Sequence, residues 1–108
     1  MSDEPQALVG NAADPKQIAE ASRKEKDRRK RELAELRGLL DLPDGRRFLW
    51  RVLEHCDVFA SVYDDVPVRM AHHSGKQDVG HFLLAEINDA QPTALLQMMR
   101  EAKERTRA

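Results

Sequence analysis

At 108 residues the chain has room for one domain, and with 34% charged and 5% aromatic side chains its core must be aliphatic and modest. A formal net charge of −1 excludes a globally basic nucleic-acid coat, and the lone Cys56 excludes an internal disulfide framework and suits a reducing compartment. No apolar run approaches the ~20 residues that cross a bilayer. The opening Met1-Ser2-Asp3-Glu4-Pro5 also lacks the features of a signal peptide, so a cytoplasmic protein is expected.

Residues 1–13 mix Pro, Gly, Asn, Gln and Ala without an apolar period and read as a disordered tail. A long helix is expected over 14–41. Asp14 suits its N-cap, Pro15 its first position, and Gln17 stands where a capping box needs it. This segment is basic at its front: residues 15–40 hold nine Lys or Arg against five Asp or Glu, whereas 41–108 hold nine against eleven. It stays polar until Leu33, Leu36, Leu39 and Leu40, which form one apolar stripe over the last two turns. A helix that is polar over most of its length either stands in solvent or lies on a partner. The stripe is therefore read as a docking face.

A compact helical domain is expected over 42–108. Pro43 suits the first turn of a second helix, in which Phe48, Leu49, Val52, Leu53 and Cys56 form the buried face, with Trp50 beside it at a seam. The helix should fade near Asp57, followed by a loop to Val66 pinned by Phe59 and Tyr63. A short turn from Pro67 to His73, closed by Gly75 in the left-handed position, precedes an amphipathic helix over 77–89 with Val79, Leu83 and Ile87 inward. Gly80 within it costs ~1 kcal/mol against Ala, a cost that usually marks close helix approach. Pro92 is expected to open the last helix, with Leu95, Met98, Met99 and Ala102 inward. The fold class is all-α, a long N-terminal helix projecting from a small bundle of three to four helices.

Several residue groups invite a chemical role. Arg23, Lys24, Arg28, Arg29, Lys30 and Arg31 are candidates for non-specific nucleic-acid contact, each phosphate neutralised adding a salt-dependent increment to affinity. Interleaved Glu25, Asp27, Glu32 and Glu35, and the lack of stacking aromatics, favour a solvated helix with i,i+4 pairs such as Glu25/Arg29 and Asp27/Arg31. Arg46, Arg47 and Arg51 open the Trp helix. They either clamp an acidic partner or phosphates, or pair internally with Asp41, Asp44 or Glu54, and Arg47, Trp50 and Arg51 are read as an interface hot spot. The Met98-Met99 pair reads as core filler or as an adaptable groove. The histidines do not fit a zinc spacing, since His72 and His73 point about 100° apart on a helix. Cys56 on an apolar stripe reads as a buried small hydrophobe, and no converging polar constellation points to catalysis. No metal, cofactor or enzymatic activity is expected, and no membrane association.

From Pro43 to Met99 the chain resembles a family of small helical proteins of tailed phages and prophages, first named from a Bordetella podophage. The family pattern is close to Pro-acidic-Gly-Arg-x-x-Leu-Trp, here Pro43, Asp44, Gly45, Arg46, Leu49 and Trp50. A later Gly-x-x-x-Val-Gly-x-x-Leu-Leu corresponds to Gly75, Val79, Gly80 and Phe82 to Leu84. An aromatic near His72 and an Arg at Gln77 would complete the second motif. The resemblance implies a gene of the phage structural or assembly module, active in the host cytoplasm and in some settings within the particle. The expected function is non-enzymatic, through protein–protein contacts in particle assembly or as a minor virion or head-associated component. Its partners would be a phage structural or assembly protein or a second copy of the chain. The alternatives left open are a nucleic-acid-binding accessory protein using residues 23–31 and a protein that binds a host factor.

Overall fold

The computed structural model describes residues 14–107, so the expectation for residues 1–13 lies outside the described part. The described residues are all-α and form four helices: α1 (Pro15–Leu40), α2 (Pro43–His55), α3 (Pro67–Ala90) and α4 (Ala94–Arg107). No strand occurs among the described residues, and no helix is long and apolar enough to cross a membrane.

The chain divides into two units at Glu32–Leu33. In the first, the Asp14 carboxylate accepts the backbone N–H groups of Lys16 (3.0 Å) and Gln17 (3.4 Å), satisfying donors that a helix start leaves open. From Pro15 to Arg28 every side chain is exposed. Such a helix gains little from burial and relies on propensity and local ion pairs. Such pairs include Glu25 with Arg28 and Glu32 with Arg29, both at i,i+3 spacing.

The second unit contains the core. Leu40, Leu49, Leu53, Ile87, Ala90, Ala94 and Met98 are buried, and Leu33, Leu36, Trp50, Val58, Leu83, Leu84 and Leu95 pack around them. The core is wholly aliphatic but for the edge of Trp50. All three Phe side chains and the single Tyr are more than half exposed. Of the Leu33, Leu36, Leu39 and Leu40 stripe, Leu40 is buried, Leu33 and Leu36 pack partly buried against this core, and Leu39 is 50% exposed.

Only two residues, Asp41 and Leu42, separate α1 from α2. Leu42 is extended (φ −98°, ψ 129°), as the residue before a proline tends to be, and Pro43 opens α2. The buried line on α2 is Arg46, Leu49, Leu53 and Cys56. Phe48, expected inward, points to solvent, and Val52 is half-buried, because Arg46 takes the core-facing position one turn earlier.

The end of α2 is closed by Asp57 in the left-handed region (φ 56°), with Val58 N–H reaching back to Leu53 O at 3.3 Å. This is a position glycine fills without steric cost. Asp57→Gly is therefore expected to stabilise the protein by about 0.5 kcal/mol, since the Lys76 ion pair it forfeits (3.6 Å) is partly exposed and weak. A Tm below that of the parent protein would contradict this reading.

Several expectations about the second half are corrected. Pro67 to Ala90 is one continuous helix, and none of the described glycines has positive φ. The helix passes through Gly75 because the following turn is anchored: the Gln77 amide donates to the carbonyls of Asp57 (2.8 Å) and Ala60 (2.9 Å). Tertiary ties of this kind override weak local propensity. The loop before α3 is held by Phe59 but not by Tyr63, which is 79% exposed. On α3 the inward line is Gly80, Leu83, Leu84, Ile87 and Ala90, and Val79 faces out. A Cβ on Gly80 would meet Val58 Cγ2 and Cys56 Cβ, which is the close approach its presence implied. The last helix begins at Ala94, not Pro92. Gln91 is extended ahead of the proline, and Ala94 N–H bonds Gln91 O at 3.0 Å. Ala94 and Met98 are buried, whereas Met99 is 46% exposed.

Candidate interaction site

The side chains of interest gather where α2 runs beside α4. Arg46, buried on the inner line of α2, reaches across to Glu101 on α4. Its Nε–H donates to Glu101 Oε1 (2.9 Å) and Oε2 (3.2 Å), Nη2 donates to Oε2 (2.8 Å), and Nη1 donates to the Leu40 carbonyl (2.9 Å). This fork geometry is the one a guanidinium offers a carboxylate, and here it joins the end of α1, α2 and α4. The hydrogen bonds from Arg46 hold the Glu101 carboxyl below its ordinary value, and Glu101 in turn raises the Arg46 pKa.

With Arg46 turned inward, the next arginines stand outside. Arg47 pairs with Asp44 (2.7 Å), and both are well exposed. The Arg51 guanidinium lies 5.6 Å from the centroid of the exposed Phe48 ring, within cation–π range. Trp50 stacks on Phe59, ring centroids 5.3 Å apart and planes inclined by 26°. Arg47, Trp50 and Arg51 border an open depression of about 230 Å³ between α2 and α4, walled further by Glu54, Ala102, Arg105 and Thr106. A second depression, of about 400 Å³, continues past Arg47 and Arg105 towards Pro43 and Glu104. Both are shallow, and acids and bases alternate along them. Such a surface suits a macromolecular contact with an aromatic anchor and a polar rim better than a small-molecule pocket.

The expected trio Arg47, Trp50 and Arg51 is therefore brought together on one side of the domain, whereas Arg46 belongs to the interior. Arg105, Phe48 and the Glu101 partnership were not foreseen. Arg46 sits at the 46, 49, 53, 56 spacing of the buried line, which is the signal that could have placed it inward. Arg23, Lys24, Arg28, Lys30 and Arg31 are exposed on α1, and Arg29 is half-buried. Among the described residues no three His, Cys, Asp or Glu side chains are grouped to hold a metal ion. The rings of His72 and His73 lie 5.8 Å apart at a tilt, and Cys56 is buried against the position of Gly80. Asp64, next to Asp65 in the loop before α3, accepts Val66 N–H (2.8 Å) and binds Arg69 (3.1 Å), contacts that lower its pKa and fix the entry to α3.

Comparison with curated proteins gave no match, and neither did comparison with solved structures. The family described as "Bbp19-like phage protein" matches residues 36–100, which takes in the end of α1, the whole of α2 and α3, and the α4 turns that carry Ala94 and Met98. With more than half its length matched, the chain belongs to the Bbp19-like phage protein family.

Proposed function

We propose that this phage protein acts without catalysis, as a protein–protein contact module in particle assembly or as a minor virion or head-associated component. The observation that carries the reading is the α2–α4 surface. One tryptophan is held by an aromatic stack in a depression bordered by Arg47, Arg51 and Arg105, and the Arg51 guanidinium also lies over the exposed Phe48 ring. Tryptophan and arginine dominate the energetics of protein interfaces, and large hydrophobics left at a surface mark partner sites. The partner is a phage structural or assembly protein.

Quantitative mass spectrometry on purified particles of the encoding phage tests this. The chain is expected at fixed stoichiometry, in the particle or in an assembly intermediate. The double substitution Arg47→Glu, Arg51→Glu is expected to lower that stoichiometry roughly tenfold or more while the thermal melt stays within about 0.5 kcal/mol, because both side chains are exposed. Unchanged incorporation of the double variant would remove the surface from consideration.

A second reading rests on a different observation. In the first unit, Lys16, Arg23 and Lys30 recur every seven residues on exposed helix, which aligns them on one side of α1. A nucleic-acid-binding role would use this row, and retention on DNA would then fall steeply with salt. Loss of DNA retention on charge reversal at Arg23 and Lys30, with particle incorporation unaffected by Arg47→Glu, Arg51→Glu, would favour it over the first. Binding to a host factor would leave the chain absent from particles and intermediates alike.

A further inference from the structure

The arginines of the α2–α4 surface are not equally satisfied. Arg46 is taken inside by Glu101, and Arg47 pairs with Asp44. Arg51 lies over the Phe48 ring and makes no ion pair with a described residue, although Glu54 follows one turn later on the same helix. Arg105, across on α4, is in the same position. Glu101 precedes it by one turn, but that carboxylate is already held in a fork by Arg46, so Arg105 lends it only a longer-range attraction.

Both unanswered guanidinium groups line the 230 Å³ depression beside Trp50, and Arg47 lines it with them. Arg47 and Arg51 stand one helical turn apart, a spacing at which like charges repel. Glu54 is the one acid in the walls, and Asp44 answers Arg47 from outside them. The arrangement therefore costs the free chain electrostatic energy that nothing inside it returns. An anion laid between Arg51 and Arg105 returns it. The Phe48 ring also holds the Arg51 fork in place, so less side-chain freedom is lost when a planar anion docks.

The glutamates decide which anion. Glu54 walls this depression, and Glu101 and Glu104 wall the next one, which shares Arg47 and Arg105. A nucleic-acid backbone repeats its negative charge at every step and would set phosphates against Glu54 and Glu104. A polypeptide can place carboxylates at the arginines, neutral or basic residues beside the glutamates, and an apolar side chain on Trp50. The whole chain carries a net charge of −1, so any attraction for an acidic protein is local to this furrow.

We infer that the partner enters the furrow with an acidic polypeptide segment, seating a carboxylate between Arg51 and Arg105 and an apolar side chain against Trp50. The inference rests on the protein–protein reading of this surface and adds to it the charge of the partner.

Carbodiimide coupling in particles and assembly intermediates tests it. Arg51→Lys and Arg105→Lys each place a primary amine in the furrow, and the carbodiimide joins an amine to a touching carboxylate as an amide while taking up the water as its urea. Mass spectrometry is expected to find position 51 or 105 joined to an aspartate or glutamate of a second protein. Arg51→Gln, Arg105→Gln is expected to lower the copy number roughly tenfold or more with an unchanged thermal melt, because both side chains are exposed. A chain incorporated at fixed stoichiometry that gives no such cross-link and keeps its copy number in the glutamine double variant overturns the acidic partner and leaves the assembly role standing. Release of the chain by nuclease, with no cross-link, assigns the arginines to phosphates and overturns it too. A chain absent from particles and intermediates removes the assembly reading and this inference together.

Discussion

Gly45→Ala is expected to cost the protein about 2–3 kcal/mol, the upper part of the range for forcing an extra methyl into a packed position. The added Cβ would run into the Leu39 carbonyl oxygen, and it would also lie 2.9 Å from the carbonyl carbon and 3.3 Å from Cα. All three are backbone atoms, so no rotamer change relieves the contact. The corner has little slack. Asp41 and Leu42 are its only connecting residues, Leu42 is held extended by Pro43, and Arg46 N–H bonds Leu42 O at 3.0 Å. Thermal melting followed by circular dichroism should show a Tm lower by about 10–20 °C for a domain of this size. Gly38→Ala is the matched control. With open space around its Cβ and a helical backbone, it should be neutral or stabilising. Equal melting of Gly45→Ala and the parent protein would mean that the two helices do not meet this closely.

Arg46→Met should be nearly as damaging, by about 2–3 kcal/mol. Removing one partner of a buried pair typically costs 3–5 kcal/mol, and the figure is reduced here because the Glu101 side chain keeps 28% of its exposure. The substitution leaves the Glu101 carboxylate and the Leu40 carbonyl without their donor. Restoring a consistent environment with Arg46→Met, Glu101→Leu should recover much of the loss, because an apolar pair of similar volume avoids the desolvation of both charges. The same bond gives the protein an acid-sensitive margin. Glu101 titrates below its ordinary value of 4.5 when folded, so its contribution is full above that value and disappears as pH falls through the lower folded one. Below about pH 4.5 the parent protein should lose stability more steeply than Arg46→Met. Asp64, also lowered, contributes to the same window in both proteins and does not disturb the comparison. Parallel pH profiles for the two proteins would contradict the assignment.

Much of the architecture can be read from local signals. Asp14, Pro43 and the Leu42–Pro43 junction announce helix boundaries through backbone chemistry that operates within a few residues, and the structure places boundaries there. Gly80 declares a close approach because nothing local rewards a glycine in that turn. The misplacements have the opposite origin. Phe48 and Val79 look like core residues by hydrophobicity, but the faces that are buried depend on partners distant in sequence. Arg46 has its carboxylate partner 55 residues away. Gly75 resembles a helix stop unless one knows that Gln77 is tied to the carbonyls of Asp57 and Ala60. For the candidate surface, the spacing of Arg47, Trp50 and Arg51 was legible because one helix carries all three. Arg105 was not, because the pairing of α2 with α4 is a tertiary fact.

The placement of the aromatics has a spectroscopic consequence. The chain has one tryptophan, packed against the core and stacked on a loop residue, so its emission reports the docking of Phe59 as well as the integrity of the Leu53–Ile87–Met98 interior. In a denaturant titration, fluorescence should change as soon as the loop lifts, ahead of the loss of helical ellipticity. A gap between the two curves would then measure the local opening of the 56–66 segment, and only coincident curves would license treating the domain as a single cooperative unit.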